Sequence, residues 1–96
     1  MKKYKAGVIG LGMGRNHIAG YREHPDVEVV AIADINQAKL LHYQKELNIP
    51  RAYNTAHEML AAEKLDIVSV AVPNIDHKAL TVAALEAGAN VLCEKP

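Results

Sequence analysis

The sequence predicts an α/β fold: a doubly wound parallel sheet of about five strands in the order 3-2-1-4-5, with helices on both faces. Three observations predict it. Short, continuous apolar runs recur along the chain, as expected of strands buried on both sides. Stretches of helical length, most with recognisable caps, alternate with those runs. The first run, ending in Val8-Ile9, feeds into Gly10, Gly12 and Gly14, and a helix-like stretch follows.

The first strand is expected over about Lys5–Ile9, and the first helix from about Met13 to Glu23. His24-Pro25 stops that helix, because the residue before proline is pushed out of the helical region. The second strand covers about Glu28–Ala33 and ends at Asp34. A second helix follows over about Asn36–Leu47, with Asn36 as cap, Leu40, Leu41 and Leu47 in its apolar stripe, and Asn48 closing it. Arg51–Tyr53 reads as a short third strand. Thr55 and Glu58 have the spacing of a capping box for a third helix, to about Glu63. Asp66 opens a fourth strand, Ile67–Val72, which Pro73-Asn74 ends. Asp76 is expected to cap a fourth helix, with Ile75 and Leu80 stapling its start and Gly88 closing it in the left-handed conformation. The fifth strand spans about Asn90–Cys93.

Ninety-six residues make one domain. Lys plus Arg equals Asp plus Glu at 11 each, so no global field favours nucleic acid or anionic lipid. The chain has neither Trp nor Phe, which leaves four Tyr and no stacking platform for single strands. No stretch is long enough to cross a membrane. The basic start, Lys2-Lys3-Tyr4-Lys5, precedes a run too short and too broken by glycine for a signal peptide. The single Cys93 rules out an internal disulfide, and a cytoplasmic setting is expected. No metal site is expected.

The glycine turn carries the first chemistry. Glycine lets the chain turn sharply and lets a ligand approach bare backbone. Free N–H groups and the positive end of the helix dipole favour an anion at such a place. Asp34 lies roughly twenty residues past the turn, the offset at which a carboxylate accepts the ribose hydroxyls of a dinucleotide. Neither Ile35 nor Asn36 is a cation for a 2′-phosphate, so NAD is favoured over NADP. Gly-x-Gly-x-Gly also occurs in S-adenosylmethionine sheets. Those folds usually place an acid two residues before the first glycine, where this chain has Val8.

Two further segments fall at carboxyl ends of strands, where open α/β sheets bind ligands. In Val72-Pro73-Asn74-Ile75-Asp76-His77, Asn74 is a candidate for a ribose hydrogen bond and His77 for facing the cleft; both also fit as turn and helix-end residues. In Cys93-Glu94-Lys95-Pro96, the Lys95 ammonium is placed to polarise a substrate oxygen or orient a ribose, or else it is part of a charged terminus.

Taken together, these segments resemble the N-terminal domain of the Gfo/Idh/MocA family of NAD(P)-dependent oxidoreductases. The resemblance rests on Val8-Ile9-Gly10-Leu11-Gly12 with Gly14-Arg15-Asn16-His17, Val30-Ala31-Ile32-Ala33-Asp34, Asp66-Ile67-Val68 running into Val72-Pro73-Asn74 and His77, and Ala84 through Glu94-Lys95-Pro96. The ending Glu-Lys-Pro is the most specific of these. The resemblance implies a Rossmann domain from a two-domain enzyme that moves hydride to or from sugars, polyols and related hydroxy compounds. It assigns the pyrophosphate to Gly10, Gly12 and their neighbours Met13 and Gly14, the adenosine ribose to Asp34 with Ile35 beside it, and further cofactor contacts to Val72, Pro73, Asn74, His77 and Glu94. It places Lys95 beside nicotinamide and substrate, as the catalytic residue of this chain, with the Lys95–Pro96 peptide a candidate for the cis form. The family loop more often carries one more residue before the histidine than this chain has before His17. His17 itself is expected to pack or cap rather than act as a base.

By the same resemblance, the general acid/base residues and the substrate sheet belong to a second domain that is absent from this chain. The 96 residues are then expected to bind cofactor without turnover, and to self-associate through an exposed sheet edge. A stand-alone nucleotide-binding or redox-sensing module and, less favoured, an S-adenosylmethionine-dependent methyltransferase are the competing readings.

Overall fold

β1 (Tyr4–Ile9) starts at the surface and ends in the interior, with its last four residues buried. It forms the centre of a five-stranded parallel sheet with β2 (Val27–Ala33), β3 (Arg51–Tyr53), β4 (Ile67–Val70) and β5 (Asn90–Cys93), in the order β3-β2-β1-β4-β5. The connecting helices are α1 (Gly14–Arg22), α2 (Gln37–Glu46), α3 (Ala56–Ala62) and α4 (Asn74–Glu86). This computed structural model describes residues 3–72 and 74–93, with only the backbone described for 74–77, 92 and 93.

Two apolar clusters sandwich the sheet, as the continuous apolar strands require. Ala6, Val8, Val29 and Ile32 pack with Ile18 and Tyr21 of α1 and Leu40 of α2. Ile9, Val30, Ala31, Ala33, Val68 and Val70 pack with Ala56 and Met59 of α3 and Ala84 of α4. Strand side chains alternate between faces, yet Val29 and Ile32, an odd number apart, share a face. The cause is a bulge: Ala6 pairs with Val29, and the next residue, Gly7, pairs with Ala31, so Val30 is an extra residue in β2. Gly7 faces the second cluster, where a Cβ would stand 2.6 Å from Leu65 Cδ1, so a larger residue would have to push the Leu65 side chain aside.

The expected caps hold where side chains are described. Asn36 Oδ1 accepts the Lys39 N–H at 3.0 Å, and Asn48 closes α2 at φ 56°. Thr55 Oγ1 accepts the Glu58 N–H at 3.1 Å and donates to Glu58 Oε1 at 3.0 Å. Gly88 ends α4 at φ 93°.

Three boundaries differ from expectation. α1 starts at Gly14, with Met13 at the cap position and no side-chain cap bond, since Met has no acceptor to offer there. β4 stops at Val70 rather than Val72: on its β1 side Ala71 gives its N–H to Ile9 O at 2.9 Å, and β1 then turns away at Gly10. α4 starts at Asn74, which places Asp76 in its first turn instead of at its cap. The expected staple of Ile75 on Leu80 lies outside the described side chains. At the opposite end of the sheet, Asp66 clamps three strands: it accepts the Lys5 N–H on Oδ2 at 2.8 Å, donates its own N–H to Lys5 O at 2.8 Å, and accepts the Asn90 N–H at 2.9 Å.

Candidate cofactor site

The three glycines at the end of β1 have three different jobs. Gly10 sits at φ 89°, and a Cβ there would collide with the Ala71 carbonyl oxygen and meet Val72 Cγ1 at 3.0 Å. It is therefore the residue that lets the chain turn sharply past the end of β4. Gly14 opens α1 directly on the sheet, where a Cβ would stand 2.7 Å from Val8 Cγ1. Close helix–strand packing is the role of the third glycine in dinucleotide turns. Gly14 fills it even though the spacing is one residue short.

Gly12 faces open space: the nearest atom to a Cβ there is Lys39 Nζ, at 3.9 Å. Gly12 and Met13 are exposed, and among the described residues their N–H groups have no acceptor. Bare backbone, unfilled donors and the N-terminal end of α1 make this a seat for an anion.

Asp34 closes the site from β2. Its Oδ2 accepts the Leu11 N–H at 2.8 Å and its Oδ1 accepts the Asn36 N–H at 2.8 Å. Each carboxylate oxygen keeps a second lone pair, and the group is half-buried, so it can still receive hydroxyls. Beside it Ile35 is 89% exposed, an apolar side chain with no protein surface to cover.

Arg15, which the sequence reading did not assign a role, braces the turn from below. Its Nε donates to Leu11 O at 3.1 Å and Gly12 O at 3.3 Å, and its Nη1 donates to Tyr43 OH at 2.9 Å. The guanidinium stands 5.1 Å from the Tyr43 ring centroid. The (i, i+4) offset from Leu11 was the available signal, but the Tyr43 contact comes from the fold.

His17 packs as expected. Its Nδ1 lies 2.8 Å from Ser69 Oγ, and Tyr21 OH lies 2.5 Å from the same oxygen. Ser69 is fully buried in β4, and burial raises the Tyr21 hydroxyl above its ordinary pKa, partly opposed by the Ser69 hydrogen bond. These contacts fix α1, and with it the glycine turn, against the sheet.

The structure therefore brings Gly10, Gly12, Met13, Gly14, Asp34, Ile35 and Val72 to the carboxyl end of the sheet's central strands. Pro73, Glu94 and Lys95, the Lys95–Pro96 peptide bond, and the side chains of Asn74 and His77 lie outside the described residues. Among the described residues no His, Cys, Asp and Glu groups gather for a metal, and no helix is long and apolar enough to cross a membrane.

Residues 4–96 match the Gfo/Idh/MocA family, described as "Oxidoreductase family, NAD-binding Rossmann fold". The D-apiose dehydrogenase of Paraburkholderia graminis is 35% identical over 97 residues, covering 100% of this chain and 26% of the relative. The D-xylose 1-dehydrogenase (NADP(+)) 2 of Haloferax volcanii is 35% identical over 91 residues, covering 94% and 28%. Among solved structures, the scyllo-inositol dehydrogenase of Lactobacillus casei with bound NAD(H) and scyllo-inositol superposes with a TM-score of 0.91 at 28% identity, covering 99% of this chain and 28% of that one. The chain thus spans between a quarter and a third of the length of these relatives.

Proposed function

Because the chain belongs to the Gfo/Idh/MocA oxidoreductase family, we propose that it is the cofactor-binding part of a sugar or polyol dehydrogenase and that its cofactor is NAD. The observation that carries this is Asp34, held at the glycine turn by the Leu11 and Asn36 N–H groups with lone pairs to spare. In this reading Asp34 accepts both hydroxyls of the adenosine ribose, Ile35 lies against the adenine, and the N–H groups of Gly12 and Met13 receive the pyrophosphate. A 2′-phosphate would meet the Asp34 carboxylate, and neither Ile35 nor Asn36 would offset that charge, which favours NAD over NADP.

Val72, Pro73, Asn74, His77 and Glu94 complete the cofactor contacts, and Lys95 lies beside nicotinamide and substrate, with its ammonium orienting the reacting oxygen. The nicotinamide supplies the hydride chemistry. The groups that move the substrate proton and hold the sugar or polyol come from outside these 96 residues, so the chain alone binds cofactor without turnover. The single cysteine fits a cytosolic setting. The chain self-associates at the β5 edge of its sheet.

The test is a fluorescence titration of the chain with NADH and NADPH, repeated on Asp34→Ala. NADH binding that is tighter than NADPH binding, and that Asp34→Ala weakens, supports the reading. An undiminished Asp34→Ala variant removes the ribose assignment, and tighter NADPH binding removes the choice of NAD.

A further inference from the structure

We propose that Lys39 is a cofactor-contacting residue whose ammonium meets the pyrophosphate beside Gly12. The proposal rests on the reading of the glycine turn given above and extends it to a residue on a different helix.

Lys39 is in the first turn of α2, half-buried, with its backbone N–H held by the Asn36 cap at 3.0 Å. That cap fixes where its side chain leaves the helix. The Nζ arrives 3.9 Å from the position of a Gly12 Cβ, on the side where the turn is otherwise open. The fold therefore lays a cation from α2 against the bare backbone that precedes α1. Among the described residues no acid pairs with Lys39 and no acceptor takes its ammonium. Arg15, the other cation at the turn, is already engaged by two carbonyls and Tyr43.

A half-buried, unpaired ammonium next to two unfilled N–H groups is a site whose charge is balanced by a phosphate. Lysine is suited to the task, as a compact charge on a flexible stem that can follow a ligand oxygen. A search for cations directly after Asp34 passes over this residue, because it reaches the turn across the gap between two helices rather than along the chain.

The experiment compares the 96-residue chain with its Lys39→Met and Lys39→Arg variants, using fluorescence titration for NADH and NADPH and calorimetry for ADP-ribose and adenosine. The capping bond uses the backbone of Lys39, so neither variant removes it. For Lys39→Met, binding of NADH and ADP-ribose should weaken roughly tenfold, the size expected for one charge-assisted contact. Adenosine, which has no phosphate, should bind unchanged. The salt dependence of NADH binding should become shallower, and Lys39→Arg should keep most of the affinity.

Unchanged NADH binding overturns the proposal, and so does an equal loss for adenosine, which would indicate a damaged site. A loss confined to NADPH overturns it as well, by moving the contact to a 2′-phosphate. The underlying reading fails separately, if the unmodified chain binds no dinucleotide or if Asp34→Ala leaves NADH binding intact.

Discussion

Asp34 accepts the N–H of Leu11 at 2.8 Å, joining the end of β2 to the glycine turn after β1 across 23 residues of sequence. The same carboxylate thus shapes the turn and presents oxygens to whatever the turn binds. Replacing it should separate these effects. Asp34→Asn retains an acceptor for Leu11 but loses the charge and one acceptor site. It should melt near the parent, while Asp34→Ala should lose stability by about 1 kcal/mol. Both should bind NADH at least about tenfold more weakly, read by fluorescence titration alongside thermal melts.

The glycines should divide in the same way. Gly10→Ala forces a Cβ into the Ala71 carbonyl at a positive φ, and Gly14→Ala forces one against Val8. Each should cost about 1–3 kcal/mol in urea unfolding. Gly12→Ala meets nothing closer than Lys39 Nζ at 3.9 Å, so it should fold within about 0.5 kcal/mol of the parent and yet lose NADH binding.

Ser69 should matter more than its size suggests. Ser69→Ala leaves the Tyr21 hydroxyl, held in a raised-pKa, buried setting, without its acceptor or donor at 2.5 Å. A loss of about 1–3 kcal/mol is expected. Adding Tyr21→Phe should recover part of it, so the double variant should be less destabilised than the sum of the singles in a denaturation cycle.

Acid should weaken one corner of the molecule first. Glu63 is bonded by Arg51 through Nε and Nη2 and by Tyr53 OH at 2.6 Å; the Arg51 guanidinium holds its carboxyl below the ordinary 4.5. A carboxyl with a lowered native pKa stabilises the fold fully above its unfolded value and loses that contribution as pH falls through the native one. Thermal midpoints of the parent and Glu63→Gln should therefore differ at neutral pH and converge as the pH falls below 4.5 and through the lowered native pKa. Because Arg51 is half-exposed, the gap should stay near 1 kcal/mol.

Much of this architecture was legible in residue types. Apolar runs marked four of the five strands, their alternation with helices through right-handed crossovers implied the order, and side-chain acceptors at Asn36 and Thr55 marked two helix starts. These signals are local. What escaped depends on neighbours distant in sequence. β4 ends where β1 leaves it, which no property of Ala71 or Val72 announces. The extra residue Val30 is invisible in a run where every side chain is apolar, since either face would accept it. At the site, Gly10, Gly12, Gly14 and Asp34 stood out because their spacing has a known purpose. Lys39 and the Tyr43 contact of Arg15 did not, because each reaches across a gap between helices that only folding creates.

The two ends of the sheet are unequal. At one, β3 is three residues long and presents Arg51, locked to Glu63 and still carrying its charge into solvent. A row this short and charged resists addition of another strand. At the other, β5 pairs with β4 on one side, and among the described residues no strand pairs with its second side. The two edges therefore differ in what they offer a further strand: the β3 side is a short, charged row, while the described part of β5 keeps the backbone groups of its second side unpaired among the described residues.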